Sequence, residues 1–172
     1  MAQASSPTAE VRLRAHVRPA QAPDALPRSY GAPETAAGPA PDLADSNLHP
    51  ALAAFLQAMS DKLDMLVGYL SQAQLQSDYS PAEVLEIGEH GLALAKAGNL
   101  APGQPLEVVV VLSDYPLQMA TAVGVVGEAA QRQGEPVHLF RFTRIREEDL
   151  ERIVQFVFKE ERARIRRNKW GE

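Results

Sequence analysis

Residues 83–95 read EVLEIGEHGLALA, and this stretch is the clearest indication of the fold. A short apolar run leads into a turn that contains Gly88 and Gly91, and a second apolar run follows directly. Two apolar runs joined by a short glycine-containing turn are typical of a β-hairpin. The stretch therefore predicts two adjacent strands and a protein built mainly from β-structure.

Three further apolar segments downstream have the length of strands. Together with the first two, the predicted strands cover residues 82–87, 91–95, 105–112, 117–128 and 137–145. Glycine, proline, serine and asparagine separate them, which is typical of turns. Five short strands with short connections predict a meander that closes into a barrel or curls into a sandwich.

Two helices are predicted to flank these strands. Residues 48–76 form the first, in which apolar residues recur at spacings of four and three, the pattern of a coiled coil. The seam consists of Leu52, Leu56, Met59, Leu63, Leu66, Leu70 and Ala73. A spacing this strict favours association between chains, and packing on the chain's own barrel is the alternative. Residues 146–167 form the second helix, with acidic residues in its first turn and arginines in its last, as the helix dipole prefers.

Residues 1–46 are dominated by alanine, proline, serine and glycine, and proline recurs without a period. Such a segment buries too little apolar surface to offset its ordering entropy, so we expect a mostly disordered tether. The exception is residues 10–18, where apolar residues alternate with Arg12, Arg14, His16 and Arg18. Strict alternation predicts a half-buried strand with a basic outer face. The purely structural interpretation of this basic face, as opposed to a role in binding a ligand, is an edge strand that its charges protect from aggregation.

Composition excludes several classes of protein. The chain has 172 residues, of which 45% are hydrophobic, so one domain with a stable core is expected. It contains no cysteine, which removes disulfides, thiolate catalysis and cysteine-ligated metals. No apolar run approaches the roughly 20 residues of a membrane span and no secretory signal is visible, so we expect a cytoplasmic protein. A net charge of −5 argues against general binding to DNA or RNA.

No arrangement of residues in the sequence indicates catalysis. An enzyme needs a nucleophile with a base, a pair of carboxylates in a cleft, or a metal cluster. The histidines, His16, His49, His90 and His138, fall in different predicted elements and lack a metal-binding spacing. We therefore expect neither a catalytic site nor a metal site.

The order of elements over residues 81–167 resembles the PilZ domain, a small antiparallel β-barrel that senses the bacterial second messenger cyclic di-GMP. The resemblance rests on the glycine turn and on four further segments: LxPGxPLEVVVVL at 100–112, GVV at 124–126, HLFRFTRI at 138–145 and EEDLERIVQFVF at 147–158. It implies a mainly β protein, a PilZ-like barrel with a C-terminal helix, into which the long helix of residues 48–76 is inserted. Atypical members of the family use such an added helix to join subunits.

PilZ domains hold cyclic di-GMP with an RxxxR motif N-terminal to the barrel and a (D/N)xSxxG turn on it. Arginine guanidinium groups bind the phosphates and stack on the guanines, while the turn binds the base edges. The resemblance places Arg14 and Arg18 in the first element, and Glu86, Gly88 and Gly91 in the second. Only Gly91 matches the turn motif, because glutamate replaces Asp or Asn and glycine replaces serine. We therefore expect weak or lost binding of cyclic di-GMP, and an ordinary β-turn is the alternative.

Two functions fit these features. The first is a PilZ-like signalling adaptor, with no enzymatic activity and no cofactor, that forms homo-oligomers and acts through a protein partner. The second is an oligomeric scaffold for motility or envelope machinery that does not bind nucleotide. In both cases we expect a tether at 1–46, a heptad helix at 47–77, a barrel with its C-terminal helix at 78–167, and a tail at 168–172.

Overall fold

The computed structural model describes residues 7–28, 47–114 and 117–170, so most of the expected tether, at 1–6 and 29–46, lies outside the described residues. The strands are β1 (Thr8–Pro19), β2 (Ser80–Gly88), β3 (Gly91–Ala95), β4 (Pro105–Asp114), β5 (Leu117–Arg132) and β6 (Glu135–Ile145). The helices are α1 (Pro50–Asp78) and α2 (Glu147–Trp170). All of the predicted strands are present, and all except β3 are longer than predicted.

The strands form a closed antiparallel barrel in the order β1–β2–β3–β6–β5–β4, with β4 returning to β1. This confirms the predicted barrel, but β3 and β4 are not neighbours, so a simple meander is wrong. β1 pairs with both β2 and β4, so the edge-strand interpretation is also wrong, and the barrel begins at Thr8 instead of residue 78. The alternation of apolar and basic residues explains why β1 is part of the barrel wall. Its apolar residues Ala9, Ala15 and Val17 are buried in the barrel core.

β4 is apolar on both of its faces, which explains its unbroken LEVVVVL run. It contributes four residues to the barrel core, Leu106, Val108, Val110 and Leu112. Val109 and Val111 belong to a second cluster, in which the C-terminal end of α1 covers them with Leu75 and Tyr79. α1 is therefore attached to the barrel by one end.

The seam of α1 is exposed along its whole length. Between 38% and 71% of the surface is accessible for each of Leu52, Leu56, Met59, Leu63, Leu66 and Leu70. The side that faces the barrel is a different one, since a Cβ at Gly68 would lie 3.2 Å from Leu117 and Leu75 is fully buried. At about 100° per residue, Gly68 and Leu75 lie on the opposite side of the helix from Leu63 and Leu66. Packing of the seam on the chain's own barrel is therefore wrong for this chain.

Residues 20–28 pack on the barrel, which corrects the expected tether for this part of the chain. Pro27 is buried. The backbone carbonyls of Pro23 and Pro27 accept hydrogen bonds from Thr143 and from Arg146. Proline content was misleading because proline prevents regular structure but leaves its carbonyl group able to accept from a side chain.

α2 continues to Trp170, so residues 168–170 are helical and do not form the predicted tail. Ile153 and Val157 are buried in the barrel core. Burial of a large aliphatic side chain contributes about 1.5–3 kcal/mol, so these two contacts hold α2 against the barrel.

Asp149, in the first turn of α2, is a buried carboxyl with 5% of its surface accessible. Burial raises the pKa of this carboxyl. The positive charge of Arg152 and a hydrogen bond from the backbone of Thr121 offset only part of the rise. The carboxyl therefore holds a proton more tightly in the folded protein than in the unfolded chain.

Replacing Asp149 with asparagine should remove part of the pH dependence of stability. A carboxyl with a raised folded-state pKa stabilises the fold below its unfolded-state pKa of about 4, and that contribution is lost as pH rises through the folded-state pKa. We expect the free energy of unfolding of Asp149→Asn to increase relative to the wild type between about pH 3 and about pH 7. Urea denaturation at both pH values measures this, and a pH-independent difference contradicts it.

Candidate functional site

Gly91 closes the turn between β2 and β3 and lies against β6. It pairs with Gly88 on one side and with Arg141 on the other. A Cβ atom at Gly91 would stand 2.1 Å from the carbonyl oxygen of Phe140, which no side chain can do. Glycine is therefore needed here for the approach of two strands, independently of any ligand.

Gly88 lies against the start of β1. A Cβ atom at this position would stand 2.8 Å from Cγ2 of Thr8 and 3.2 Å from the carbonyl oxygen of Pro7. The serine of the PilZ turn motif would need this space and more for its hydroxyl group. In this chain, the start of β1 occupies that space.

Glu86 forms an ion pair with Arg132 at the tip of the β5–β6 hairpin. The next residue, Gln133, donates hydrogen bonds of 2.9 Å to the backbone carbonyls of Val11 and Leu85. These contacts hold the hairpin tip over the outer side of β1 and β2. A ligand that used the Glu86 carboxylate would first have to displace Arg132.

A set of surface ion pairs borders the same hairpin tip. Arg12 binds Glu135 at 2.6 Å and Glu83 at 3.1 Å, and Lys96 binds Glu83 at 2.8 Å. The hydrogen bond from Arg12 lowers the pKa of Glu135. Arg12, on the predicted basic face of β1, is thus paired with carboxylates of this chain.

Arg14 lies opposite Glu83 of β2 and forms an exposed ion pair with Asp114, at the end of β4. Burial lowers the pKa of its neighbour His16, and the positive charge of Arg14 lowers it further. His16 is therefore neutral at pH 7 and adds no charge that could attract a phosphate.

Arg18 forms an ion pair with Glu107 of β4, whose side chain is 4% exposed. Its guanidinium carbon also lies 4.8 Å from the centre of the Tyr79 ring, a cation–π contact. The amide of Arg28 donates a 2.7 Å hydrogen bond to the other oxygen of Glu107. Arg18 thus joins β1 and β4 to the base of α1.

The structure does not bring the predicted ligand residues together. Thr8 pairs with Gly88, whereas Val17 pairs with Ser80. The glycine turn and Arg18 therefore lie at opposite ends of β1, roughly 30 Å apart at about 3.3 Å per residue. Glu86, Gly88 and Gly91 are neighbours on the turn, but neither arginine reaches them.

Sequence reasoning missed Glu107 and Tyr79, the two partners of Arg18. Glu107 could have been noticed, because it is the single charged residue of the LEVVVVL run and a buried charge needs a partner. The ion pair borders a cavity of about 340 Å³ that is lined by Arg18, Gln21, Leu26, Arg28 and Val123 among others. Because Glu107 neutralises Arg18, this pair offers no free positive charge to a phosphate in the cavity.

The described residues include neither a metal site nor a membrane-spanning helix. Within residues 7–28, 47–114 and 117–170, no group of three or more His, Asp or Glu side chains could hold a metal ion. In the same part of the chain, no helix combines the length and the apolar character that crossing a membrane requires.

Comparison with known proteins finds similarity in structure alone. No protein-family model and no curated protein matches the chain. The inhibitor of motility MotI/DgrA of Bacillus subtilis is similar in structure, with 8% identity, a TM-score of 0.54, and coverage of 95% of this chain and 53% of that one. This chain therefore spans about half the length of MotI/DgrA.

A second similar structure is a tetrameric PilZ domain protein of Xanthomonas campestris, described as self-assembled through a helical bundle. It has 20% identity and a TM-score of 0.58, and the match covers 95% of this chain and 92% of that one. Identities this low establish the fold and nothing more. The PilZ-like fold that the sequence predicted is confirmed.

Proposed function

We propose that this protein is a non-enzymatic, cytoplasmic signalling adaptor of the PilZ type that assembles through α1 and acts through a protein partner. The observation that carries the proposal is the exposed apolar seam of α1, which points away from the chain's own barrel. In this proposal the binding of cyclic di-GMP is weak or lost.

The seam of α1 is large enough to drive association. Its six large side chains, from Leu52 to Leu70, are exposed in the single chain. Burial of each contributes about 1.5–3 kcal/mol, so the set supplies about 9–18 kcal/mol per chain. Association costs about 4–15 kcal/mol in lost freedom of movement, which two or more such helices together can exceed.

The apolar surface of α1 is wider than the seam alone. Phe55, Val67 and Tyr69 flank it and are also exposed. A band of this width exceeds the narrow stripe of a two-stranded coiled coil and favours a bundle in which each helix contacts two neighbours. The tetrameric helical bundle of the Xanthomonas protein supports this part of the proposal.

The contacts of the predicted ligand residues support weak or lost nucleotide binding. Arg14, Arg18 and Glu86 each form an ion pair within the chain. The start of β1 lies where the family's serine would stand next to Gly88. A nucleotide would have to break ion pairs without gaining the contacts that the family motif provides.

Calorimetric titration with cyclic di-GMP tests the nucleotide part of the proposal. Loss of two charge-assisted contacts, each worth about 1.5–3 kcal/mol, weakens a micromolar site by about 3–6 kcal/mol. We expect no measurable binding, or salt-sensitive binding no stronger than that of GTP.

The double change Glu86→Asp and Gly88→Ser provides a second arm of this experiment. We expect no tight binding from it, because Arg14 and Arg18 do not face the turn and serine meets Thr8. Tight, guanine-selective binding by the unaltered chain would contradict the proposal and would show that other residues supply the contacts.

The alternative function, an oligomeric scaffold for motility or envelope machinery, shares the α1 assembly and differs in the ligand. The ion pairs of Arg18 and Glu86 favour it over an active nucleotide sensor. Saturable binding of cyclic di-GMP at millimolar concentration contradicts the scaffold, whereas complete absence of binding fits both functions.

A further inference from the structure

We propose that the outer face of α2 binds the same face of a second copy of this chain in antiparallel orientation. This outer face consists of exposed residues at spacings of three and four, namely Glu148, Glu151, Gln155, Phe158, Arg162, Ile165 and Lys169. The spacing is that of a helix–helix seam. The proposal does not depend on the α1 assembly, because the two helices use different surfaces of the chain.

The outer face carries apolar side chains that the barrel does not use. α2 packs on the barrel through Ile153 and Val157, which are buried. Phe158 and Ile165, seven residues apart on the outer face, keep 46% and 61% of their surface accessible. A helix face that contacts only solvent does not need an aromatic and a β-branched residue on the same side.

The charges on the outer face are segregated along the helix. Glu148 and Glu151 lie in the first half, and Arg162 and Lys169 lie in the second, with Arg166 beside them. Among the described residues, none of these five side chains has an ion-pair partner. The helix dipole accounts for charges in the first and last turns, but Glu151 and Arg162 lie outside those turns.

This pattern of charge is complementary to itself in one orientation. In a parallel pair, the acidic halves would face each other and so would the basic halves. In an antiparallel pair, the acidic half of each helix lies against the basic half of the other, with Gln155 and Phe158 near the centre. A two-fold axis makes every favourable contact occur twice, as in other isologous interfaces.

A second copy fits the whole outer face better than other partners of simple chemistry. An acidic helix or an anionic membrane would complement the half with Arg162 and Lys169, but Glu148 and Glu151 would repel it. The pairing of α2 would link separate α1 bundles into larger assemblies. Its contacts are mostly exposed ion pairs, so it is weak and sensitive to salt.

Charge-swap variants of the full chain provide the test. In Glu148→Lys/Glu151→Lys both halves of the face are basic, and in Arg162→Glu/Arg166→Glu both halves are acidic. Each variant alone should therefore lose the antiparallel contact, whereas an equal mixture should recover it. By sedimentation at about 20 mM salt, we expect the wild type and the mixture to have at least about twice the average mass of either variant alone, and about 0.5 M salt should remove the difference.

Additional measurements show whether misfolding or a different partner explains a change in mass. Circular dichroism checks each variant, and Phe158→Ser, at an exposed position, should also reduce the mass while leaving every charge in place. Equal masses for wild type and variants at low salt would overturn the proposal, as would a mixture that recovers nothing. Phosphatidylserine vesicles that bind the wild type but not Arg162→Glu/Arg166→Glu, with no change in the mass of the free protein, would also overturn it in favour of a membrane contact.

Discussion

Glutamate at both Leu63 and Leu66 should convert the proposed α1 assembly into monomers. Both side chains lie in the middle of the seam of α1, with 57% of their surface accessible in the single chain. In the assembly, each replacement would remove about 1.5–3 kcal/mol of apolar burial and would bury a charge among apolar residues. Light scattering at tens of micromolar should report the mass of one chain, and strand content in circular dichroism should be unchanged.

A matched control for this experiment is Ala54→Glu with Met65→Glu. Both residues are exposed and lie on other sides of α1, so the control adds the same charge outside the seam. We expect it to keep the mass of the wild type. If the wild type is itself monomeric at this concentration, or if both double variants dissociate equally, α1 is not the assembly surface.

Replacing Arg18 with alanine should destabilise the fold far more than replacing Arg14. Arg18 is the partner of Glu107, and removing it leaves a carboxylate buried without a counter-ion, which costs about 3–5 kcal/mol. Arg14 and Asp114 are 58% and 59% exposed, so that pair contributes less than about 1 kcal/mol. Because Arg18 itself is 24% exposed, we expect its cost at the lower end of the range, near about 3 kcal/mol.

Urea denaturation at one protein concentration measures both arginine variants. A rescue variant, Arg18→Met with Glu107→Leu, should recover most of the stability, because apolar residues of similar volume can replace a buried ion pair. Equal losses for Arg14→Ala and Arg18→Ala would contradict the structural role of Arg18. They would return both arginines to the list of candidate ligand residues.

The sequence predicted the elements of this fold better than their arrangement. Alternation in β1 and the spacing of four and three in α1 depend on neighbouring residues, so they are visible in a single sequence. The closure of the barrel by β1 is not visible, because pairing of Val17 with Val108 joins residues far apart in the chain. The alternating pattern predicted that β1 is a strand with a basic face, but it did not predict that β1 pairs with β2 and β4.

The candidate site was harder to predict than the fold. The candidate ligand residues were predicted from residue type and spacing, and neither shows what else a side chain contacts. They are Arg14, Arg18, Glu86, Gly88 and Gly91. Arg132 neutralises Glu86, and Glu107 neutralises Arg18. In both ion pairs the two residues are far apart in sequence, so the pairing is not visible in the sequence. A glycine in a motif is also ambiguous, and the Cβ position at Gly91 shows that strand packing alone requires it.

In the proposed assembly, the attachment of α1 through its C-terminal part would set the distance between the barrels. The helix has 29 residues and is therefore about 44 Å long, whereas its contacts with the described part of the barrel lie in its C-terminal part, from Gly68 to Leu75. A parallel bundle would gather all the barrels at one end, so that their surfaces could engage one partner together. An antiparallel bundle would hold the barrels at opposite ends, separated by most of the helix length, and would act as a molecular spacer between two partners. In the proposed assembly, the orientation of α1 would thus decide whether the barrels are gathered together or held apart.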